Sequence, residues 1–260
     1  MNGIQRLYIH TDYIVKGEAQ DKVGELIETL KNLWQKNEVF LIKFTYDSAS
    51  LYHRLTCIVY PICIRYIRRA LYLSAYGQIK IIERKKNITY KNYRLDRISK
   101  LEIIDWNSLE VPDKLRTELS IYQQEKYSLE YIINNSAKAL GADFYQPIAT
   151  MLLRFSRDFH ELYIENTLRH ETFKLVDINN SKSLDKLFTE LKLDVLERQK
   201  LQTKINLFLE DAYYQLNYRV NDNDVIMRLR AWGANVEVLY PQNLRDRMIK
   251  DISDNYAVYQ

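Results

Sequence analysis

Twelve lysines and arginines lie between Arg54 and Lys100 against two acids, Glu83 and Asp96, so this stretch nets +10 in a chain that nets +4. Residues 1–53 net −1 and residues 101–260 net −5. Tyr60, Tyr66, Tyr72, Tyr76, Tyr90 and Tyr93 are interleaved with the cations. Cationic groups beside flat phenols suit a phosphate-bearing ligand whose bases or sugars stack on the rings. A solvated basic surface is the alternative, and it is the commoner fate of a charge run.

Other chemistry is thinly supplied. His10, His53, His160 and His170 lack metal-ligand spacing. No nucleophile or carboxylate pair sits at useful spacing from His160 or His170, so packing or capping is their expected role. Cys57 and Cys63 are separated by about 20 Å of extended chain, too far to share one metal unless the strand breaks at Pro61. Asp222, Asp224 and Glu237 have no partner set resembling a metal site. The expectation is a protein without enzymatic activity, metal or cofactor.

Composition sets the frame. A chain of 260 residues with 47% apolar and 28% charged side chains can bury one large core or two ordinary ones. Six Gly and four Pro leave little room for long flexible linkers. Two cysteines provide no disulfide framework and fit a reducing compartment. With no apolar signal segment and no run approaching a membrane span, the expected location is the cytoplasm, away from membrane.

Periodicity outlines the elements that must position the basic stretch. A short extended run at 6–10 is followed by a helix over about 19–37, with Val23, Leu26, Ile27, Leu30, Leu33 and Trp34 on one face. Strands are predicted at 39–46, 55–66, 70–75, 78–83 and 100–105, with a turn at Tyr76-Gly77. A helix leading into short strands of this kind suggests a small, strongly bent sheet or barrel. Two amphipathic helices, 113–124 and one carrying Leu129, Ile132, Ile133, Ala137 and Leu140, form a connecting insertion.

From 147 onward, strands and helices alternate. A strand at 149–155 leads to a helix at 158–168 that Ser156 is placed to cap. A polar helical stretch covers 183–210, and 213–220 alternates as a strand. Asn221 or Asp222 caps the next helix, and Gly233 ends it. A strand at 234–239 and a helix opened by Pro241 complete an order compatible with a ferredoxin-like split βαβ domain.

Leu71-Tyr72-Leu73, followed by Tyr93-Arg94-Leu95-Asp96-Arg97-Ile98, resembles the tripeptide and the aromatic-Arg-Leu-Asp-Arg-Ile motif of the WYL domain. Pro61 lies where that family has a proline. The run from Trp232 through Gly233, Val236, Val238, Leu239, Pro241 and Leu244 to Arg245 resembles the signature of the C-terminal extension that follows many WYL domains. Phrases such as Arg6-Leu-Tyr-Ile-His, Phe144-Tyr-Gln-Pro and Arg157-Asp-Phe-His are similar to those of cyanobacterial CRISPR-associated WYL proteins, beside which this chain looks short at its N-terminus. Leu71 stands in place of the family's tryptophan. Cys57 stands where an arginine is common, and Arg54 or Arg65 would have to compensate.

The resemblance implies an α+β protein in four parts. An N-terminal strand and helix (1–38) lead into an Sm-like small β-barrel, the WYL domain (39–106). A helical connector (107–146) and a C-terminal ferredoxin-like extension (147–260) follow. It implies a ligand sensor with Tyr72, Arg94 and Arg97 in the pocket, and Arg65, Arg54 and Tyr46 complete the candidate set. For Arg94 and Arg97 the alternative is an ion pair with Asp96 or a helix carboxylate.

The expected ligand is single-stranded RNA or DNA, or a nucleotide-like effector, bound by a regulator of a CRISPR defence system that acts on transcription machinery or an RNA-guided effector. A homodimer is expected. The rival expectation is an interaction subunit that docks an acidic partner through the basic face and binds no ligand.

Overall fold

Apolar residues recur every three or four positions from Val23 to Trp34, and helix α1 (Glu18–Trp34) forms there, burying Val23, Leu30 and Leu33. The computed structural model describes residues 18–36, 40–49, 53–80, 88–121 and 127–260. The extended run expected at 6–10 lies outside them. The chain divides into two units, Met1–Ile132 and Ile133–Gln260, each built on its own antiparallel sheet.

In the first unit, β1 (Leu41–Ser48), β2 (His53–Ile67), β3 (Ala70–Lys80), β4 (Ile88–Arg94) and β5 (Ile98–Ile104) pair in the order β4-β3-β2-β1-β5. A 3-10 turn, Leu95–Arg97, joins β4 to β5. Alternation sends Ile42, Phe44, Cys57, Val59, Leu73 and Ala75 into one core beneath α1. The sheet is strongly curled. Three strand spacings separate β4 from β1, about 14 Å if flat. Yet the Tyr93 ring of β4 meets Phe44 and Tyr46 of β1 edge-on, with centroids 5.0 and 5.2 Å apart. Among the described residues, β4 and β5 share no ladder.

The expected turn at Tyr76-Gly77 is absent. Both residues lie within β3, which runs unbroken from Ala70 to Lys80. Gly77 faces Val59, and a Cβ there would come within 2.5 Å of the Val59 Cα and overlap the Ile58 carbonyl oxygen. Close backbone approach, not a reversal of the chain, is why glycine stands there. The actual fourth strand is β4, which the periodicity did not single out; residues 81–83 of the expected strand lie outside the described ones. The β2–β3 reversal falls at Arg68-Arg69, with Arg68 at φ 59°.

The opposite face of β3 and β4 carries Tyr76 and Tyr90, which pack with Tyr127 and Tyr131 into a phenol cluster. Tyr76 also hydrogen-bonds Glu118 of α2 (Asp113–Ile121). Helix α3 (Leu129–Ser136) follows, shorter than its periodicity suggests: Leu140 has left the helix and bridges Tyr218 instead.

The second unit contains β6 (Ile148–Phe155), β7 (Lys174–Leu175), β8 (Ala212–Arg219) and β9 (Val236–Tyr240), paired in the order β7-β8-β6-β9. All pairings are antiparallel, so β6 and β7 run the same way with β8 between them, and β8 and β9 run the same way with β6 between them. Met151, Leu152 and Leu153 are all fully buried because both faces of the sheet are covered. On one side, Val225, Ile226 and Leu229 of α7 (Asn223–Trp232) join Leu244 and Met248 of α8 (Gln242–Val258). On the other, α5 (Ser181–Glu190) and α6 (Val195–Leu207) bring Leu184, Leu187, Leu201 and Ile205 against Leu152 and Tyr213.

The long helix expected after Ser156 is one turn, α4 (Arg157–Phe159), passing into a π turn that ends at Ile164. Ser156 occupies the cap position but makes no side-chain cap bond. The Asp211 carboxylate accepts from the Arg157 amide instead, at 3.1 Å. Asp222 does cap α7, accepting from the Asp224 amide at 2.6 Å, and Gly233 ends that helix at φ 58°. Among the described residues, no helix is long and apolar enough to cross a membrane.

Candidate functional site

The corner between β4 and β5 brings together Tyr46, Tyr72, Arg94 and Arg97. Strand parity places Tyr72, half-buried, on the face opposite the fully buried Leu73. Register sets Tyr72 between Arg65 of β2 and Arg94 of β4. Tyr46 arrives from β1 because the sheet curls. Its phenol oxygen accepts from the Arg94 amide at 3.4 Å and lies near the Arg97 charge. Burial raises the pKa of Tyr46; the Arg94 amide and the Arg97 charge oppose that rise, and the neighbouring Tyr72 phenol reinforces it.

The two arginines of the motif have different fates. Arg94 forks onto Asp96, with Nε–Oδ1 and a terminal nitrogen–Oδ2 both at 2.7 Å, and both side chains are 16% exposed. This is the ion pair held as the alternative, and it fastens the 3-10 corner. Arg97 sits at the end of that corner near the Tyr46 phenol and, among the described residues, has no carboxylate partner. It is the motif cation left available to an anion.

Arg65 is close by but engaged. It donates to Ser74 Oγ at 3.1 Å and Asn92 Oδ1 at 3.3 Å, and Ser74 donates to Asn92 at 2.7 Å. This buried polar ladder escaped the sequence reading, although the alternation that exposes Tyr72 puts Ser74 and Asn92 on the same face. Arg54 lies at the other end of β2, 80% exposed and paired with Asp47 at 3.1 Å. It does not join the cluster. Nor can it stand in for an arginine at Cys57, whose side chain lies in the core.

His160 and His170 are both engaged in hydrogen bonds within the second unit. His160 Nε2 lies 3.0 Å from the Tyr214 hydroxyl, and His170 contacts Thr172 Oγ1 at 2.9 Å and the Ser136 carbonyl at 3.3 Å. Among the described residues, no group of three His, Cys, Asp or Glu is placed to hold a metal ion. Glu237 collects cations instead: Arg154 at 2.7 Å, Arg245 at 2.8 Å and Lys204 at 3.2 Å. Arg154 also meets Asp211 at 2.5 Å. Burial pushes the pKa of Glu237 up, but the bonds from Arg245, Arg154 and Lys204 outweigh it and leave the group below its ordinary 4.5. Concavities of about 500, 430 and 50 Å³ are all lined by residues of the second unit, and none includes Tyr46, Tyr72 or Arg97.

Comparison with known proteins bears first on the second unit. Residues 182–254 match the WCX domain, the WYL-associated C-terminal extension, so the resemblance read around Gly233 and Arg245 holds over that stretch. No curated protein matches the chain. A solved structure described as that of a CRISPR Cas-related protein is 10% identical with a TM-score of 0.46. The match covers 93% of this chain and 52% of that one, so the chain spans about half its length. Proteasome accessory factor B/C of Arthrobacter aurescens is 14% identical with a TM-score of 0.27, over 91% of this chain and 27% of that one. At these scores neither likeness bears on function.

Proposed function

We propose that this protein is a WYL-type regulatory binding module that senses a nucleic acid or nucleotide-like effector through Arg97, Tyr72 and Tyr46. Arg97 carries the reading. It is a planar, permanently charged fork near the Tyr46 phenol, itself a neighbour of Tyr72, and no carboxylate among the described residues neutralises it. A phosphate meets the guanidinium while a base or sugar packs on Tyr72. Arg94, tied to Asp96, positions the corner.

The setting supports the same reading. A helix followed by five strands in the order β4-β3-β2-β1-β5 suits an Sm-like barrel, and the interleaved strand pairs of the second sheet suit a ferredoxin-like extension. The WCX match fits the extension of a WYL regulator. The role is binding without catalysis, in the cytoplasm and as a homodimer. Its output within a CRISPR defence system is control of transcription or of an RNA-guided effector.

The test is titration of the full chain with short single-stranded RNA and DNA. Arg97→Ala lowers affinity about tenfold and reduces the salt slope, and Tyr72→Ala lowers affinity at unchanged slope. Unchanged affinity in both variants overturns the assignment and leaves the basic face as a dock for an acidic partner.

A further inference from the structure

A groove of about 430 Å³ runs between α6 and the start of α8, along the free edge of β9. Its volume falls within the range of small-ligand pockets, about 300–1,000 Å³. Leu193, Leu201 and Leu239 line its apolar part. Lys200 and Lys204 stand one turn apart on α6, Arg245 lies across from them on α8, and Tyr240 and Gln242 line the same groove.

The charges do not cancel. Lys204 and Arg245 both reach Glu237, at 3.2 and 2.8 Å. Glu237 is also the acceptor for Arg154, so it is shared among three cations. Glu237 itself does not line the groove; the acid that does, Glu197, closes the capping box of α6 by accepting from the Asp194 amide at 2.9 Å. Lys200 is exposed and has no carboxylate partner among the described residues. The groove therefore offers excess positive charge beside an apolar floor and an aromatic ring. α8 begins at the same place, and Pro241 at its cap position offers no side-chain acceptor to its first amides.

The geometry points to a site for a nucleoside 5′-monophosphate, its phosphate held by Lys200, Lys204 and Arg245 and its base laid against Tyr240 and Leu239. The combination selects this chemistry. A bare phosphate leaves the apolar floor unused, and an uncharged nucleoside leaves the cations unused. This site is separate from Arg97 and does not depend on what Arg97 binds.

Isothermal titration of the full chain with AMP, adenosine and inorganic phosphate tests the proposal. AMP binds, while adenosine and phosphate bind at least about tenfold more weakly. Lys200→Glu, at an exposed position that leaves the fold intact, lowers AMP affinity about tenfold. Tyr240→Leu weakens AMP without altering phosphate, and the loss caused by Lys200→Glu persists in an Arg97→Ala background, which removes any nucleotide held at the corner of the first unit. Absence of AMP binding at millimolar concentration, equal affinity for AMP and phosphate, or undiminished binding in Lys200→Glu each overturns it.

Discussion

Arg94 and Arg97 are three positions apart and chemically identical, yet their surroundings assign them different work. A bidentate pair in a largely buried setting is costly to break, because the abandoned carboxylate keeps its desolvation penalty. Arg94→Ala is expected to lower unfolding stability by about 2 kcal/mol, visible as a shifted urea midpoint. Arg97→Ala is expected to cost under about 1 kcal/mol while weakening oligonucleotide binding. The opposite ranking would mean that Arg97 holds the corner and Arg94 meets the ligand. Cys57 provides a second residue-scale measurement. Its thiol is 0% exposed, and burial pushes its pKa up to about 12. It should resist alkylation at pH 8 in the folded protein and react once denatured, since the thiolate is the nucleophile. Modification of Cys57 under native conditions would show that the β1–β2 core opens.

At the scale of elements, Gly77 and Glu237 each hold a strand in place. Gly77→Ala puts a methyl group against the backbone of β2, which cannot yield as a side chain does, and is expected to cost about 3 kcal/mol. A neutral effect in thermal unfolding would show that the strands separate freely there. Glu237 links β9 to β6, α6 and α8 through three cations. Because its pKa is lower in the folded state, its stabilisation is present above the ordinary value of 4.5 and is lost as pH falls through the lower folded value. Glu237→Gln should therefore cost about 2 kcal/mol at pH 7 and flatten the fall in stability below pH 4.5. Most elements were legible in the chain because apolar spacing marks which face must leave water. β3 and β4 were among the exceptions, with the helix expected after Ser156: glycine usually punctuates strands, and only the approach of β2 reveals that Gly77 is needed for contact.

At the scale of the whole molecule, the +10 of residues 54–100 overstates the charge a ligand would meet. Arg54 is paired with Asp47, Arg94 with Asp96, and Arg65 is fastened to Ser74 and Asn92. Ten free cations on a single strand would give a slope of log affinity against log salt near −7. We expect about −2 or shallower for a short single-stranded RNA, measured by fluorescence anisotropy between low and physiological salt. A slope near −7 would mean that the whole basic segment tracks the backbone, and the compact Arg97 site would be the wrong description.

Residue order alone placed most of the helices and strands, set Tyr72 opposite Leu73, and located the basic stretch and the C-terminal extension, because these follow from local periodicity and motif. It could not say which cation is neutralised. Charge is counted along the chain but compensated through space, and the 3-10 corner that turns Asp96 onto Arg94 has no periodicity to read. The neighbour of Arg97 is Tyr46, far upstream in β1, and only the curl of the sheet brings them together. Tertiary structure alone made one arginine a brace and left the other open to an anion.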